Sequence, residues 1–155
     1  MTLRKVVLVL LVFFVSAAVG IAEKDMVIGA DADHFGNIKM GKGNVRVGED
    51  ADVAGNIFIE EGDLFIADDV NIVGSVTIKK GNIFIKDSVD ITRTVIVENG
   101  NITMGSDNDI HADVVCKKGI VKMGANNDIH GDIYARQLKR GANSDIQGKF
   151  HQTEK

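Results

Sequence analysis

Several residue types that often shape a fold are scarce in this sequence. Its 155 residues include no proline, no tryptophan and one cysteine, Cys116. A single cysteine excludes an internal disulfide bond. The formal net charge is −4, and lysine and arginine form no cluster. Nucleic acid is therefore not an expected partner, because phosphate neutralisation requires such clusters.

Motifs for catalysis are absent as well. The sequence has no nucleophile elbow and no glycine-rich phosphate loop ahead of a helix. It also has no long helical pattern that would present a two-histidine zinc motif. We therefore expect no enzymatic activity, no cofactor and no bound nucleotide.

What the sequence does contain is an internal repeat of 19 residues. The unit GNIKMGKGNVRVGEDADVA, residues 36–54, is followed by copies that begin at Gly55, Gly74, Arg93 and Ala112. A shortened copy begins at Gly131, and a final half-turn begins at Gly148. The segment near Met26 matches the end of the unit, so the repeats start about half a unit before Gly36. Repeats of this length indicate one small structural unit stacked many times.

Within the unit, apolar and polar residues alternate in three short runs separated by glycine and Asx residues, which is typical of short strands joined by tight turns. The apolar positions recur in every copy, in columns that begin at Ile38, Met40, Val45, Val47 and Val53. The sequence predicts an all-β fold: a single-stranded parallel β-helix, or solenoid, with three short strands per coil and about six coils of 19 residues. The strict six-residue pattern of left-handed β-helices is missing, which favours a right-handed winding.

The first 22 residues have a different character. Arg4 and Lys5 precede an apolar run, and small residues follow it up to Ala22, which predicts a signal peptide. An uncleaved membrane anchor is the alternative, because Val6 to Ala22 is just long enough to span a bilayer. Residues 23–155 form the predicted β-helix domain, with coils over about 26–150. We expect the chain to be exported and to be periplasmic, membrane-tethered or extracellular.

Glycine and Asx residues are predicted to build the corners. One corner is expected to hold glycines in the positive-φ conformation that a side chain disfavours: Gly43, Gly62, Gly81, Gly100 and Gly119. The Asx residues that follow four of these glycines are expected to bond their own turn backbone: Asn44, Asp63, Asn82 and Asn101. A second set of residues is expected to lie at the third corner and to bond the turn backbone: Asp33, Asp52, Asn71, Asp90, Asp109, Asp128 and Asp145.

Three polar or reactive residues replace aliphatic ones at inward positions. Asn108 and Asn127 are predicted to form a ladder of stacked amides, which satisfies buried polar groups. Cys116 takes a place that isoleucine or valine fills in other copies, so we expect a small buried hydrophobe.

His111 and His130 are 19 residues apart and are therefore expected to stack on adjacent coils. Asp109 and Asp128 lie two positions before them on the same face, so imidazole and carboxylate groups are candidates for binding a cation. From the sequence, the preferred interpretation is a solvated polar column that ends at Gln147.

The run VRVGEDADVAGNIFIEEGDLFIADDVNIVGSVTIKKGNIFI resembles the bactofilins, polymer-forming bacterial cytoskeletal proteins in which G-[DN]-[IV] phrases recur. The resemblance covers about residues 26–150. It implies a small right-handed, three-sided β-helix that polymerises end to end into filaments without nucleotide. A signal peptide and a very regular repeat set this chain apart from typical bactofilins.

Two kinds of surface are candidates for assembly. At the ends of the predicted solenoid, unpaired strand edges template pairing with another chain, and the aromatic residues His34, Phe35 and Phe150 lie there. These aromatics either cap the core or form the buried centre of an end-to-end junction, and the junction is preferred. Outward apolar side chains form a candidate lateral contact surface: Phe58, Ile96, Val115 and Tyr134 on the first face, and Phe65 and Phe84 on the second.

The leading functional hypothesis is a non-enzymatic structural protein that self-assembles end to end into filaments in the cell envelope. Its partner is then a second copy of itself, with the envelope membrane or cell wall as a further contact. The alternative is a monomeric secreted or surface-attached adhesin, a binding module that recognises glycan or protein with its flat faces.

Overall fold

A computed structural model describes residues 24–154; the predicted signal peptide or anchor, residues 1–22, lies outside them. In chain order the strands are β1 (Met26–Ile28), β2 (Asp33–Phe35), β3 (Ile38–Lys42), β4 (Val45–Val47), β5 (Asp52–Ala54), β6 (Ile57–Glu61), β7 (Leu64–Ile66), β8 (Asn71–Val73), β9 (Val76–Lys80), β10 (Ile83–Ile85), β11 (Asp90–Ile91), β12 (Val95–Asn99), β13 (Ile102–Met104), β14 (Asp109–Ile110), β15 (Val114–Met123), β16 (Asp128–Ile129), β17 (Ile133–Lys139), β18 (Asp145–Ile146) and β19 (Phe150–Gln152). No helix occurs among the described residues.

These strands form three faces of parallel strands, and each strand pairs with the strand one coil further along the chain. The first face is β3–β6–β9–β12–β15–β17–β19. The second is β1–β4–β7–β10–β13–β15–β17, and the third is β2–β5–β8–β11–β14–β16–β18. The predicted all-β parallel solenoid with 19-residue coils is confirmed.

The interior of the solenoid is a continuous aliphatic core. The columns that begin at Ile38, Val45 and Val53 are buried along the central coils, where most members have 0–1% of their surface exposed. Fully burying an isoleucine or valine side chain contributes roughly 1.5–3 kcal/mol. A single coil could not bury its inward side chains by itself, so the aliphatic core forms only when coils stack.

The corners differ from the prediction in two respects. Gly43, Gly62, Gly81 and Gly100 do have positive φ, but Gly119 does not. The reason is that β15 runs straight across this corner from the first face to the second. Gly119 is still constrained, because a Cβ there would overlap the carbonyl oxygen of Gly100.

The Asx residues predicted at the third corner lie instead at the first position of each third-face strand and face outward. None of these side chains accepts a hydrogen bond from a turn N–H within residues 24–154, so the prediction that they bond the turn backbone is wrong. The positive-φ corner residues lie two positions earlier: Asp31, Asp50, Asp69, Ser88, Asp107, Asn126 and Asn143. Asp and Asn tolerate this conformation better than other side chains.

The Asx side chains that follow the corner glycines bond the backbone of the next coil, and not that of their own turn as had been predicted. The Asp63 N–H donates to Asn44 Oδ1 at 2.9 Å, and the Asn82 N–H donates to Asp63 Oδ1 at 2.7 Å. The series continues at the same corner of the next coil, where the Asn101 N–H donates to Asn82 Oδ1 at 3.0 Å. Each side chain thus satisfies a backbone donor of the next coil, where the strand ladder is interrupted.

The predicted amide ladder is confirmed inside the third corner. Asn108 and Asn127 are each 1% exposed, and the Asn108 Nδ2–H donates to Asn127 Oδ1 at 2.8 Å. The Val89 N–H donates to Asn108 Oδ1 at 2.8 Å, and the Asn127 N–H donates to Ser144 Oγ at 3.1 Å. The ladder therefore spans four coils and leaves its buried amides satisfied.

Candidate functional site

The two ends of the solenoid are where the stacking pattern stops. Within residues 24–154, β1, β2 and β3 pair on one side only, and so do β18 and β19. Every face carries seven layers of strand. The described solenoid therefore begins at a second-face strand and ends at a first-face strand, so it contains a whole number of turns.

At the lower end, Phe150 continues the inward column of the first face, since it pairs in register with Ile133. Its side chain is nevertheless 42% exposed. Leu138 on the second face and Ile146 on the third are half-buried and pack against the core from its last layer. All three faces thus end in a partly exposed apolar side chain.

At the upper end, the two aromatic residues singled out from the sequence point in different directions. His34 pairs with Val53 and so takes the inward position of its face, half-buried. Phe35 lies on the outside of the same strand and is 80% exposed. Met26, Ala32 and Met40 are half-buried apolar residues that pack against the core at this end.

The predicted lateral residues all face outward on the faces assigned to them. Phe58, Ile96, Val115 and Tyr134 lie on the first face and are half-buried. On the second face the rings of Phe65 and Phe84 stack with centroids 5.0 Å apart. Such stacking fixes the aromatic side chains on an otherwise flat surface.

Two features of the lateral surface were missed. The guanidinium of Arg46 lies 4.4 Å from the Phe65 ring centroid, which extends the aromatic stack by a cation–π contact. On the third face, Phe35 and Val73 flank Ala54 in one outward column, and Val73 is 53% exposed. The sequence positions that precede His111 at intervals of 19 residues include Val73, Ala54 and Phe35, so the repeat was sufficient to predict this apolar patch.

The third face also carries the histidine and aspartate residues proposed from the repeat. His111 and His130 stack with ring centroids 4.9 Å apart and planes inclined by 8°. Asp109 lies between them: its Oδ1 is 3.1 Å from His130 Nε2, and its Oδ2 is 3.5 Å from His111 Nε2. The structure thus brings the three residues together.

Two further carboxylates flank this group. Asp90 Oδ1 is 3.2 Å from His111 Nε2, and Asp128 Oδ2 is 3.8 Å from His130 Nε2. Asp128 was selected from the sequence and lies at the edge of the cluster. Asp90 was not predicted as part of the cation-binding group. Its position one coil above Asp109 in the same column is the sequence feature that indicates its membership.

A second histidine–aspartate pair offers a contrast on the first face. His151 Nε2 forms a hydrogen bond with Asp132 Oδ2 at 2.9 Å, and the Tyr134 hydroxyl donates to the same oxygen at 3.2 Å. The Lys149 backbone N–H is the main cause of a lowered pKa at Asp132, followed by His151. Burial and the Asp132 carboxylate raise the pKa of Tyr134.

Cys116 is confirmed as a buried residue of an inward column, with 0% exposure. Burial raises the pKa of its thiol, which disfavours the nucleophilic thiolate. Its sulfur lies 3.2 Å from the carbonyl oxygen of Gly100. The thiol therefore acts as a small apolar group of the core.

Comparison with known proteins gives no relative. Neither a protein-family model, nor a curated protein, nor a solved structure matches this chain. In the described part of the chain, no helix is long and apolar enough to cross a membrane.

Proposed function

We propose that this protein is a non-enzymatic structural protein whose β-helices stack end to end into filaments in the cell envelope, as the resemblance to bactofilins implies. The observation that carries the proposal is the whole number of turns between the described ends. A second copy placed below the first would begin with β1 on the second face, the face that follows β19 in the winding. No face of such a junction is left without a strand.

The side chains at the two ends support the same arrangement. In a head-to-tail stack the inward columns continue, so that Leu138 lies above Met26 of the next copy and Phe150 lies above Ile38. The third such contact is between Ile146 and His34. Junction formation would bury the half-exposed apolar surface of both ends, which is favourable at roughly 25 cal/mol per Å².

Backbone pairing supplies the specificity of the junction. The free edges of terminal strands present unpaired N–H and C=O groups that template pairing with another strand. Parallel pairing between copies would repeat the geometry that every internal pair already has. Placement in the envelope rests on the predicted export signal and belongs to the same proposal.

Electron microscopy of the chain from Glu23 onward tests this function. We expect unbranched filaments by negative staining, and we expect Phe150→Arg to prevent them by burying a charge in the junction. Thr103→Arg is the matched control, because it adds the same charge to an outward position of the second face that lies outside the candidate lateral surface. Filaments that form equally well with Phe150→Arg would contradict the proposed lower junction.

The adhesin hypothesis is favoured by one observation, the exposed stack of Arg46, Phe65 and Phe84 on the second face. Planar aromatic surfaces of this kind suit the apolar faces of sugar rings. A chain that stays monomeric in size-exclusion chromatography at high concentration, and that loses glycan binding with Phe84→Arg, would favour this second function.

A further inference from the structure

We propose that Asp109, His111 and His130 form a binding site for a divalent transition-metal ion of the zinc class on the third face. This inference does not depend on assembly, because the site lies on the side of the solenoid. A solvated polar column, the interpretation that the sequence alone favours, is the alternative.

The spacing of the donor atoms fits a tetrahedral ion. Zinc–nitrogen and zinc–oxygen bonds of about 2.0–2.2 Å place neighbouring ligand atoms about 3.4 Å apart. Asp109 offers a separate oxygen to each ring: Oδ1 lies 3.1 Å from His130 Nε2, and Oδ2 lies 3.5 Å from His111 Nε2. One ligand atom from each of the three residues lies within 4.8 Å of the other two, so the residues are close enough to share one ion. Three protein ligands leave a fourth position for water or another ligand, as in open zinc sites.

The carboxylate oxygens have no other partner. Asp109 Oδ1 and Asp90 Oδ1 are shielded from solvent and form no hydrogen bond within the described chain, although each lies within 3.2 Å of a histidine Nε2. At Asp132, by contrast, a similar distance does give a hydrogen bond. An ion bound to both the oxygen and the ring nitrogen, to one side of the line that joins them, would satisfy such an oxygen.

The backbone holds the ligands in place before any ion binds. The His111 N–H donates to the Ile91 carbonyl at 3.0 Å, and the His130 N–H donates to the Ile110 carbonyl at 2.9 Å. Strand pairing also aligns Asp90, Asp109 and Asp128 in one column. The backbone positions of the ligands are therefore fixed by a rigid sheet, and sites built on such elements are more precise than sites on loops.

The donor set indicates the class of ion. Imidazole nitrogen with carboxylate oxygen suits zinc, copper and nickel, whereas calcium and magnesium prefer shells made of oxygen alone. Asp90 and Asp128 flank the site and add negative charge beside it. Higher on the same face the outward column contains Val73 and Thr92, so the site is confined to the lower coils.

Titration of the purified full-length chain, kept in solution by a mild non-ionic detergent, tests the site. We expect isothermal titration with zinc chloride to give one ion per chain and Co²⁺ to give the visible absorption of a tetrahedral complex. Asp109→Asn and His130→Gln are each expected to weaken zinc binding by about 100-fold or more, since even outer-shell changes cost 10- to 100-fold.

His151→Gln is the matched control, because it removes a histidine that pairs with an aspartate on another face and should leave zinc affinity unchanged. Circular dichroism verifies that each variant keeps its β structure. The proposal is overturned if the wild-type chain binds no zinc, or if Asp109→Asn and His130→Gln bind it as tightly as the wild type.

Discussion

The middle coils and the terminal coils share the same inward columns but differ in how completely these are covered. In the middle, Ile78 and Ile83 are 0% exposed, and their strands pair on both sides. At the lower end Phe150 is 42% exposed in an equivalent column, and its strand pairs on one side. The comparison teaches that burial is most complete in the middle coils, whereas the free strand edges of the described residues, on which the proposed assembly depends, lie at the ends.

The largest contrast is expected at the glycine corner. At Gly81, φ is +140°, and a Cβ added there would overlap the Gly62 carbonyl oxygen. A Cβ added at Gly36 would have no described atom within 4 Å apart from its chain neighbours. Gly81→Ala should therefore destabilise the fold by on the order of 4 kcal/mol or more. Gly36→Ala should cost only about 1–2 kcal/mol for its positive φ. Urea unfolding measures both, and equal losses would break the comparison.

Core truncation should give a smaller contrast of the same sign. Ile78→Ala removes a side chain with 0% exposure and should lower the free energy of unfolding by about 2–5 kcal/mol. Ile146→Ala, in the half-buried last layer, should cost about 1 kcal/mol. Thermal unfolding followed by circular dichroism tests this difference under conditions in which the chain is monomeric. A larger loss for Ile146→Ala would contradict a weaker terminal coil.

The smallest expected effect is acid fraying of the last coil. The lowered pKa of Asp132 means that this carboxylate stabilises the fold fully above its unfolded pKa of about 3.9. That contribution is lost as the pH falls through the lower folded value. Because the chain has one tyrosine and no tryptophan, the fluorescence of Tyr134 reports this coil alone.

We expect this fluorescence to change on acidification before the circular dichroism of the whole chain does. Asp132→Asn should remove the separate acid transition, because the amide does not titrate. If the variant keeps that transition, another group is responsible for it.

The repeat was sufficient to predict the fold, because each column of the sequence becomes one stack of side chains. Asn108 and Asn127 could be predicted as a buried ladder for the same reason. The straight course of β15 past Gly119 could not be predicted. A column of glycines is equally consistent with a turn in each coil and with close contact between successive coils. That Asp90 Oδ1 and Asp109 Oδ1 find no hydrogen-bond partner among residues 24–154 could not be predicted either, since shielding from solvent depends on neighbours across the face.

The most direct test of the account is hydrogen exchange measured by mass spectrometry at low and high protein concentration. We predict that the amides of β1 and β19 become protected as concentration rises, because each terminal strand gains a partner on its free edge. Those of β9 should be protected at both concentrations. Terminal strands that exchange equally fast at both concentrations would contradict assembly through the ends.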